Sequence, residues 1–241
     1  NNFHTLPNDS KRIIIEQTAL KQGLSKQIVE KDLWVSTLLD LYELAKSELP
    51  FVFKGGTSLS KVWGLIERFS EDIDLAVDRS LFGFEGDLTT KQIKKLRKAS
   101  SLFVSNEFLS ELQSAINRFD LDKFIELEVQ PDGEGDKTYP EPRQIFIKYQ
   151  SLFDTELSYV KPQIILEIGA RSLFEPTQKS SINSIVATEF PNVQTSVISA
   201  DITTAVAAKT FLEKAFLLHE LFTTNGCSKK KKKSRHLYDL E

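Results

Sequence analysis

Two short stretches carry the prediction of the fold: FVFKGGTSLSK at residues 51–61 and RFSEDIDLAV at residues 68–77. The apolar run that ends at Gly55 and Gly56 is typical of a buried strand that enters a tight turn. A helical pattern follows over 57–66, and residues 73–77 have the pattern of a second strand. The sequence therefore predicts a strand, a double-glycine turn that opens a helix, and another strand.

Helical patterns flank this core on both sides. In the first 48 residues, Gly23 marks the end of one helix and Ser25 caps a second one. After an irregular segment from Leu173 to Val197, Asp201 is predicted to cap a long helix. The chain is thus divided into an N-terminal helical region, a core with the strands, and a C-terminal helical region, at 1–48, 49–200 and 201–241.

The composition limits the class of protein. The chain has 241 residues, of which 40% are hydrophobic and 27% charged, and this excludes a collagen-like or largely disordered protein. No run approaches the roughly 20 apolar residues that cross a bilayer, so we expect no membrane partner. One cysteine and the lack of a signal-peptide pattern favour a cytoplasmic location. Because the net charge is −3, nucleic acid would have to bind to local basic patches.

Two acids, Asp72 and Asp74, stand at the start of the second predicted strand. Residues i and i+2 of a strand share a face, and their Cα atoms are roughly 6–7 Å apart. Carboxylates in this arrangement suit Mg²⁺, while Ile73 and Leu75 would anchor the strand in the core. An Asp-x-Asp pair alone would equally fit a solvated strand face. Its position after Gly56 and a predicted helix favours a functional site.

The double glycine is the second part of this candidate site. Gly55 and Gly56 allow a positive φ and a close approach of the backbone to a ligand. The N–H groups at the start of the following helix can bind phosphate oxygens, and Thr57 and Ser58 can add hydroxyl donors. We therefore predict that residues 55–58 bind phosphate.

A third acid, Glu167, lies within the apolar run IILEIG at residues 164–169. An acid in such a strand loses hydration unless it binds a metal, has a charged partner or lies at an edge. Glu167 is therefore the predicted third ligand of the metal site. The alternative is an outward glutamate on an edge strand. Glu126 and Glu128 compete for the role but lie in a more polar setting.

The segments KGGTSLS (54–60) and ERFSEDIDL (67–75) together resemble the AbiEii/AbiGii toxin family of nucleotidyltransferases, which belongs to the polymerase-beta-like superfamily. Many members have an acid where this chain has His236, whereas Asp239 matches the second acid of the same motif. The resemblance implies an α+β fold in which a mixed sheet bears the active site between two helical regions. It extends over most of the chain, through the segments 30–34, 167–171, 211–219 and 234–240.

The resemblance also implies an activity, namely transfer of a nucleoside monophosphate from an NTP to an acceptor with release of pyrophosphate. Asp72 and Asp74 would bind two Mg²⁺ ions, and Glu167 would complete the second metal site and help to deprotonate the nucleophile. The residues implied in nucleotide binding are the turn and three later positions: Gly55, Gly56, Thr57, Ser58, Lys214, Arg171 and Asp239. Taken without the resemblance, Lys214 would be interpreted as a solvated lysine and Asp239 as a solvated or capping residue.

Several relatives are bacterial toxins that are restrained by an antitoxin, and some modify the 3′ end of tRNA. The resemblance therefore implies a toxin with an antitoxin partner and tRNA or another RNA as acceptor. The basic segment 91–98 could contact an RNA backbone or simply be a solvated helical face, and the lysines at 229–233 are open to the same two interpretations. Two alternatives remain for the function: nucleotidyl transfer to a protein or small molecule, and a non-catalytic nucleotide-binding regulator.

Overall fold

A computed structural model describes residues 3–44, 51–154, 158–172, 176–191, 199–223 and 237–239. The helices within this part of the chain are α1 (Asn8–Gln22), α2 (Lys26–Leu44), α3 (Gly55–Lys61), α4 (Thr90–Phe103), α5 (Leu109–Arg118), α6 (Ile185–Glu189) and α7 (Ala207–Thr223). A π-helical segment, Val104–Phe108, joins α4 to α5, and short 3₁₀ turns lie at Phe3–Thr5, Arg79–Phe82 and Gly135–Lys137.

The strands form a mixed sheet, as predicted, and its described part contains β1 (Phe51–Lys54), β2 (Ile73–Val77), β3 (Ile125–Val129), β4 (Arg143–Tyr149), β5 (Gln163–Gly169), β6 (Thr177–Asn183) and β7 (Ser199–Ala205). Their order across the sheet is β3-β4-β5-β2-β1-β7-β6. The pairs β2/β5 and β1/β7 are parallel, and the other neighbours are antiparallel. The α+β fold with helical flanks is therefore confirmed.

The centre of the sheet follows the sequence patterns closely. Strand β2 spans the predicted residues, and Ile73 and Leu75 are buried in the main core. Helix α1 ends at Gly23, whose φ of +64° is the left-handed conformation that favours glycine at a helix end. Helix α3 differs from the prediction of 57–66, because it begins at the glycines themselves and ends at Lys61.

One boundary was wrongly predicted. Asp201 does not cap a helix but lies within β7, and the last long helix begins only at Ala207. In β7 the buried residues alternate with more exposed ones, and its Ile and Thr side chains are β-branched, which favours a strand. The segment expected to be irregular contains β6, which pairs along the whole of β7. The sheet therefore continues past the predicted core boundary at residue 200.

The two faces of the sheet have different character. The main core lies on one face, where side chains of α2, α4 and α5 pack on the strands, as with Leu39, Leu96 and Phe53. On β1 and β2 the alternate positions belong to a separate small cluster of Val52, Ala76 and Ala205. Because side chains alternate along a strand, the polar residues in register with this cluster are kept out of the main core. No helix in the described ranges has the length and hydropathy to cross a membrane.

Candidate active site

Four polar side chains stand in register across four neighbouring strands. Lys54 on β1 is opposite Asp74 on β2, Asp74 is opposite Glu167 on β5, and Glu167 is opposite Gln144 on β4. The amide nitrogen Nε2 of Gln144 donates a hydrogen bond to Glu167 Oε1. We call these four residues the polar row. The strand β5 lies between β4 and β2, so the alternative of Glu167 as an edge-strand glutamate is excluded.

The electrostatics of the polar row centre on Asp74. Burial, together with the negative charges of Glu167 and Asp72, raises the pKa of Asp74 to about 7. The positive charges of Lys54 and Lys214 lower that pKa and only partly offset the rise. Glu167 and Asp72 are therefore close enough to Asp74 to disfavour its ionised form.

The glycine turn fits closely against the acid pair. Gly55 has a φ of +78°, and a Cβ added to it would overlap the Asp74 carboxylate oxygen Oδ2. A Cβ on Gly56 would lie 3.1 Å from Nη2 of Arg68. Gly55 thus needs glycine both for this close approach and for its backbone conformation, whereas the atoms nearest to a Cβ at Gly56 are the ends of side chains, Ser70 Oγ at 2.8 Å and Arg68 Nη2.

Thr57 and Ser58 are placed differently from the expectation that their hydroxyls donate to phosphate. Both are fully buried. Thr57 Oγ1 donates to the backbone carbonyl of Asp72, and Ser58 Oγ donates to the carbonyl of Gly55 over 2.9 Å. These hydroxyls therefore fix the turn to the start of β2 in this structure. A role for the two residues in nucleotide binding stays a prediction.

Asp239 is the acid at the centre of a basic clamp. Its carboxylate accepts from Arg68 Nε and Nη2, each over 2.6 Å, and from Lys214 Nζ over 2.7 Å, with its side chain 0% exposed. Burial alone would raise the pKa of Asp239, but the hydrogen bonds and charges of Arg68 and Lys214 outweigh it, so that pKa is lowered. Asp239 thus holds the charged side chains of Arg68 and Lys214 in this structure, and its role in nucleotide binding stays a prediction.

Two basic residues of the site were missed by the sequence analysis, although both lie inside the quoted motifs. Lys54 Nζ donates to Ser172 Oγ over 2.6 Å and to Glu213 Oε2 over 3.0 Å, which links β1 to α7. Arg68 lies beside the glycine turn, as described above. Lys54 directly precedes the glycines and Arg68 stands four residues before Asp72, and this proximity was a signal that could have identified them.

Other predicted residues lie outside this cluster or outside the described chain. Arg171 is exposed just after β5, where its backbone N–H donates to Glu141 Oε1 over 3.3 Å. Glu126 and Glu128 are on the edge strand β3, and Glu128 pairs with Lys148. His236 and the lysines 229–233 lie outside the described residues.

The three predicted acids have the donor chemistry of a site for a hard cation. Asp72, Asp74 and Glu167 offer only carboxylate oxygens, the ligands that Mg²⁺ prefers. In the described portion of the chain, no three carboxylate, imidazole or thiol groups are gathered closely enough to form a complete cation site. Asp74 and Glu167, which stand in register, are the two of these acids that the structure places directly opposite each other, and a metal ion at this position stays a prediction.

A mixed sheet with facing acids beside a double-glycine turn is the arrangement that the sequence analysis predicted for a nucleotidyltransferase. The family model described as "Nucleotidyl transferase AbiEii toxin, Type IV TA system" matches residues 38–241, which is more than half of the chain. The chain therefore belongs to this family of nucleotidyltransferase toxins of type IV toxin–antitoxin systems, and the resemblance is confirmed. Membership implies a nucleotide substrate and an antitoxin partner. A comparison with curated proteins found no match.

Proposed function

We propose that this toxin transfers a nucleoside monophosphate from an NTP to an RNA acceptor in a Mg²⁺-dependent reaction, with the 3′ end of tRNA as the first acceptor to test. The observation that carries the proposal is the polar row, in which Asp74 faces Glu167 while Asp72 adds a third negative charge. A carboxylate that two other acids repel, beside a glycine turn, is an arrangement suited to divalent cations that accompany a triphosphate.

Asp72, Asp74 and Glu167 are the residues that would hold Mg²⁺, in line with the two ions that the family resemblance implies. When bound, the ions neutralise the triphosphate and lower the pKa of the acceptor hydroxyl. The acids of the chain keep the site anionic, so that it selects for a cation-bound nucleotide. Glu167, which accepts a hydrogen bond from Gln144, would accept the proton of the acceptor hydroxyl.

We propose that the nucleotide lies between the glycine turn and the basic side chains around it. Residues 55–58 would hold the β- and γ-phosphates with their backbone N–H groups. Lys214 and Arg68, both oriented by Asp239, would add positive charge to the triphosphate, and Arg171 would contribute from the end of β5. Such charges stabilise phosphoryl transfer chiefly by positioning and neutralisation.

The choice of RNA as acceptor is supported by the surface of α4. Its five cations are Lys91, Lys94, Lys95, Arg97 and Lys98, and the helix contains no acid. Taking these five charges from the net charge of −3 leaves −8 on the rest of the chain. A helix with five cations and no acid, on a chain whose remaining residues are net acidic, is suited to the phosphates of a nucleic acid.

This basic face of α4 is connected to the site through the segment before β4. Arg97 Nη2 donates to the carbonyl of Tyr139 over 3.3 Å, and Lys98 lies over the Tyr139 ring at 5.4 Å. Two residues later, Glu141 Oε1 accepts from the N–H of Ala170 over 2.6 Å, at the end of the strand that carries Glu167. These contacts therefore join α4 to the end of β5, the strand that carries Glu167.

The experiment is incubation of purified protein with Mg²⁺, each α-³²P-labelled NTP in turn and total bacterial tRNA, followed by a denaturing gel. The test variant is Asp74→Asn, and the matched control is Glu126→Gln, which changes an exposed acid on the edge strand. We expect label on tRNA with the wild type and the control, and at least a hundredfold less with Asp74→Asn, since the lost charge stabilisation is worth several kcal/mol.

Other outcomes would replace the proposal. Label on the protein or on a small molecule would indicate a different acceptor. NTP binding without transfer to any supplied acceptor would favour a non-catalytic nucleotide-binding regulator. Equal activity of Asp74→Asn and the wild type would remove the acids from the mechanism.

A further inference from the structure

Three consecutive ionisable residues of α2 are buried. Glu30, Lys31 and Asp32 are 3%, 2% and 4% exposed. A charge removed from water costs free energy unless it is paired and hydrogen-bonded, so each of these side chains needs a specific partner. The three residues precede the segment 38–241 that the family model matches, and the polar row does not include them.

Lys31 holds the segment that leads into β2. Its Nζ donates to Glu71 Oε2 and, over 3.2 Å, to the backbone carbonyl of Lys161. Glu71 is the residue directly before Asp72. The ion pair therefore fixes the backbone from which Asp72 projects, and it does so from a helix that is distant in sequence.

Asp32 contacts the end of α3, the helix that begins at the glycine turn. Its Oδ1 accepts from Lys61 Nζ, and its Oδ2 accepts from the backbone N–H of Ile185 over 2.7 Å. Lys61 is the last residue of α3, the helix that begins with Gly55 and Gly56. A carboxylate with two donors on two elements restrains the far end of the helix whose beginning forms the glycine turn.

Glu30 has a different role, because its partners lie away from the site. Its oxygens accept from Ser151 Oγ and, over 2.6 Å, from the backbone N–H of Leu152. Those residues follow β4 and belong to the packing between α1, α2 and the loop after that strand. Glu30 therefore connects α2 to the loop after β4. Lys31 and Asp32 instead connect α2 to the segments that carry the candidate site.

We propose that Lys31 and Asp32 are positioning residues for nucleotidyl transfer: they hold Asp72 and the glycine turn at a fixed separation through Glu71 and Lys61. The N-terminal helix α2 is then a part of the catalytic unit although it contributes no group that touches the nucleotide. The inference rests on the proposed function, since it explains how the acids and the turn are kept in place for that reaction. Small displacements of positioned groups lower rates steeply.

The experiment compares Lys31→Met with two controls in steady-state transfer assays. Val29→Ala removes buried volume from the same helix without touching an ion pair, and it controls for lost stability. Lys148→Met removes a lysine from the exposed Lys148–Glu128 pair and controls for the substitution itself. We expect Lys31→Met to lower kcat about tenfold or more while KM for the NTP changes by less than about threefold. Both controls should keep kcat near that of the wild type.

A second readout does not depend on activity. Hydrogen–deuterium exchange should rise in the peptide that covers residues 67–72 of Lys31→Met and stay close to the wild-type level there in Val29→Ala. Glu71→Gln should reproduce the loss of kcat, and the double variant of Lys31 and Glu71 should lose little more than either single one, because both changes break the same pair. Lys31→Arg, which keeps the charge, should recover part of the rate.

The outcomes separate this inference from the proposed function. Absence of transfer by the wild type would contradict the proposed function and leave the exchange data as the test of positioning. Normal transfer by the wild type together with an unchanged kcat in Lys31→Met would overturn the positioning role. The same conclusion would follow if Val29→Ala and Lys31→Met altered kcat and exchange equally, because the effect would then be one of stability alone.

Discussion

Asp74 on β2 lies directly opposite Glu167 on the parallel strand β5, and this register brings together two acids that are 93 residues apart in the sequence. Burial of Asp74 and the negative charge of Glu167 both disfavour its ionised form, and together they raise the pKa of Asp74 to about 7. The charge of Asp74 is therefore expected to change near neutral pH.

The first prediction concerns stability and pH. The pKa of Asp74 is about 7 in the folded protein and 3.8 ordinarily, so between these values the folded protein keeps a proton that the unfolded chain has lost. This contribution to stability is complete below about pH 4 and is lost as the pH rises through 7. From pH 5 to pH 8, urea unfolding should show the wild type losing roughly 2–3 kcal/mol relative to Asp74→Asn.

Glu126→Gln serves as the control for this measurement, because it removes an exposed acid of the edge strand and should follow the wild-type curve. Parallel pH curves for the wild type and Asp74→Asn would contradict the raised pKa. Addition of Mg²⁺ at pH 8 should stabilise the wild type more than Asp74→Asn.

The second prediction separates backbone strain from steric overlap at the glycine turn. Gly55 and Gly83 have φ values of +78° and +74°, but a Cβ would overlap Asp74 only at Gly55 and has open space at Gly83. Both alanine variants should lose about 1–2 kcal/mol of stability from the positive φ. Only Gly55→Ala should also lose transfer, by about a hundredfold, because its Cβ displaces the Asp74 carboxylate. Equal activity of the two variants would argue against a close fit between turn and acid.

The third prediction concerns the clamp of Arg68, Asp239 and Lys214. Removal of one partner leaves buried charges uncompensated, so Asp239→Ala should lower the free energy of unfolding by about 3–5 kcal/mol at pH 7. The pKa of Asp239 is lowered in the folded protein, so its stabilisation is present above the ordinary value of 3.8 and is lost as the pH falls through the folded value. The difference from the wild type should therefore shrink below pH 4.

A suitable comparison is Asp201→Ala, which removes an exposed acid that bonds to Ser181 on the neighbouring strand. It should change the free energy of unfolding by about 0.5 kcal/mol or less. If Asp239→Ala cost no more than Asp201→Ala, the clamp would have no role in stability.

The fourth prediction concerns Lys54, whose charge lowers the pKa of Asp74. Lys54→Met should raise that pKa further, and because the ionised carboxylate is the form that would bind the cation, transfer should require a higher pH. We expect the acidic limb of the profile of kcat/KM against pH to move to higher pH, with Lys148→Met as a control that leaves it in place. A limb that does not move would show that Lys54 acts only through its bonds to Ser172 and Glu213.

The local part of the site was predictable because it is encoded by neighbours in the chain. The strand before Gly55, the turn, and the strand that carries Asp74 follow one another within 27 residues, and their apolar alternation and glycines are visible as patterns. Ile73 and Leu75 were correctly predicted to anchor β2, since alternation along a strand fixes which side chains enter the core. The same patterns carried the family resemblance that the family model confirms.

The strand β7 shows where local patterns fail. Residues 199–205 stand directly before a long apolar helix, and Asp201 has the chemistry of a helix cap. The chain forms a strand there because the sheet offers it β1 on one side and β6 on the other, so that its backbone groups are hydrogen-bonded in the sheet. Propensity is a weak determinant beside such tertiary pairing.

The sequence patterns likewise did not predict which other residues contact the predicted site residues. That Glu167 faces Asp74, that Arg68 and Lys214 share Asp239, and that Lys31 reaches Glu71 depends on strand order and helix packing. Spacing in a sequence indicates which side chains share a face of one element, but it contains no information on which other element packs against that face. The residue types of the site followed from the sequence. Long-range packing decides which of these residues contact one another and which charges act on the pKa of each.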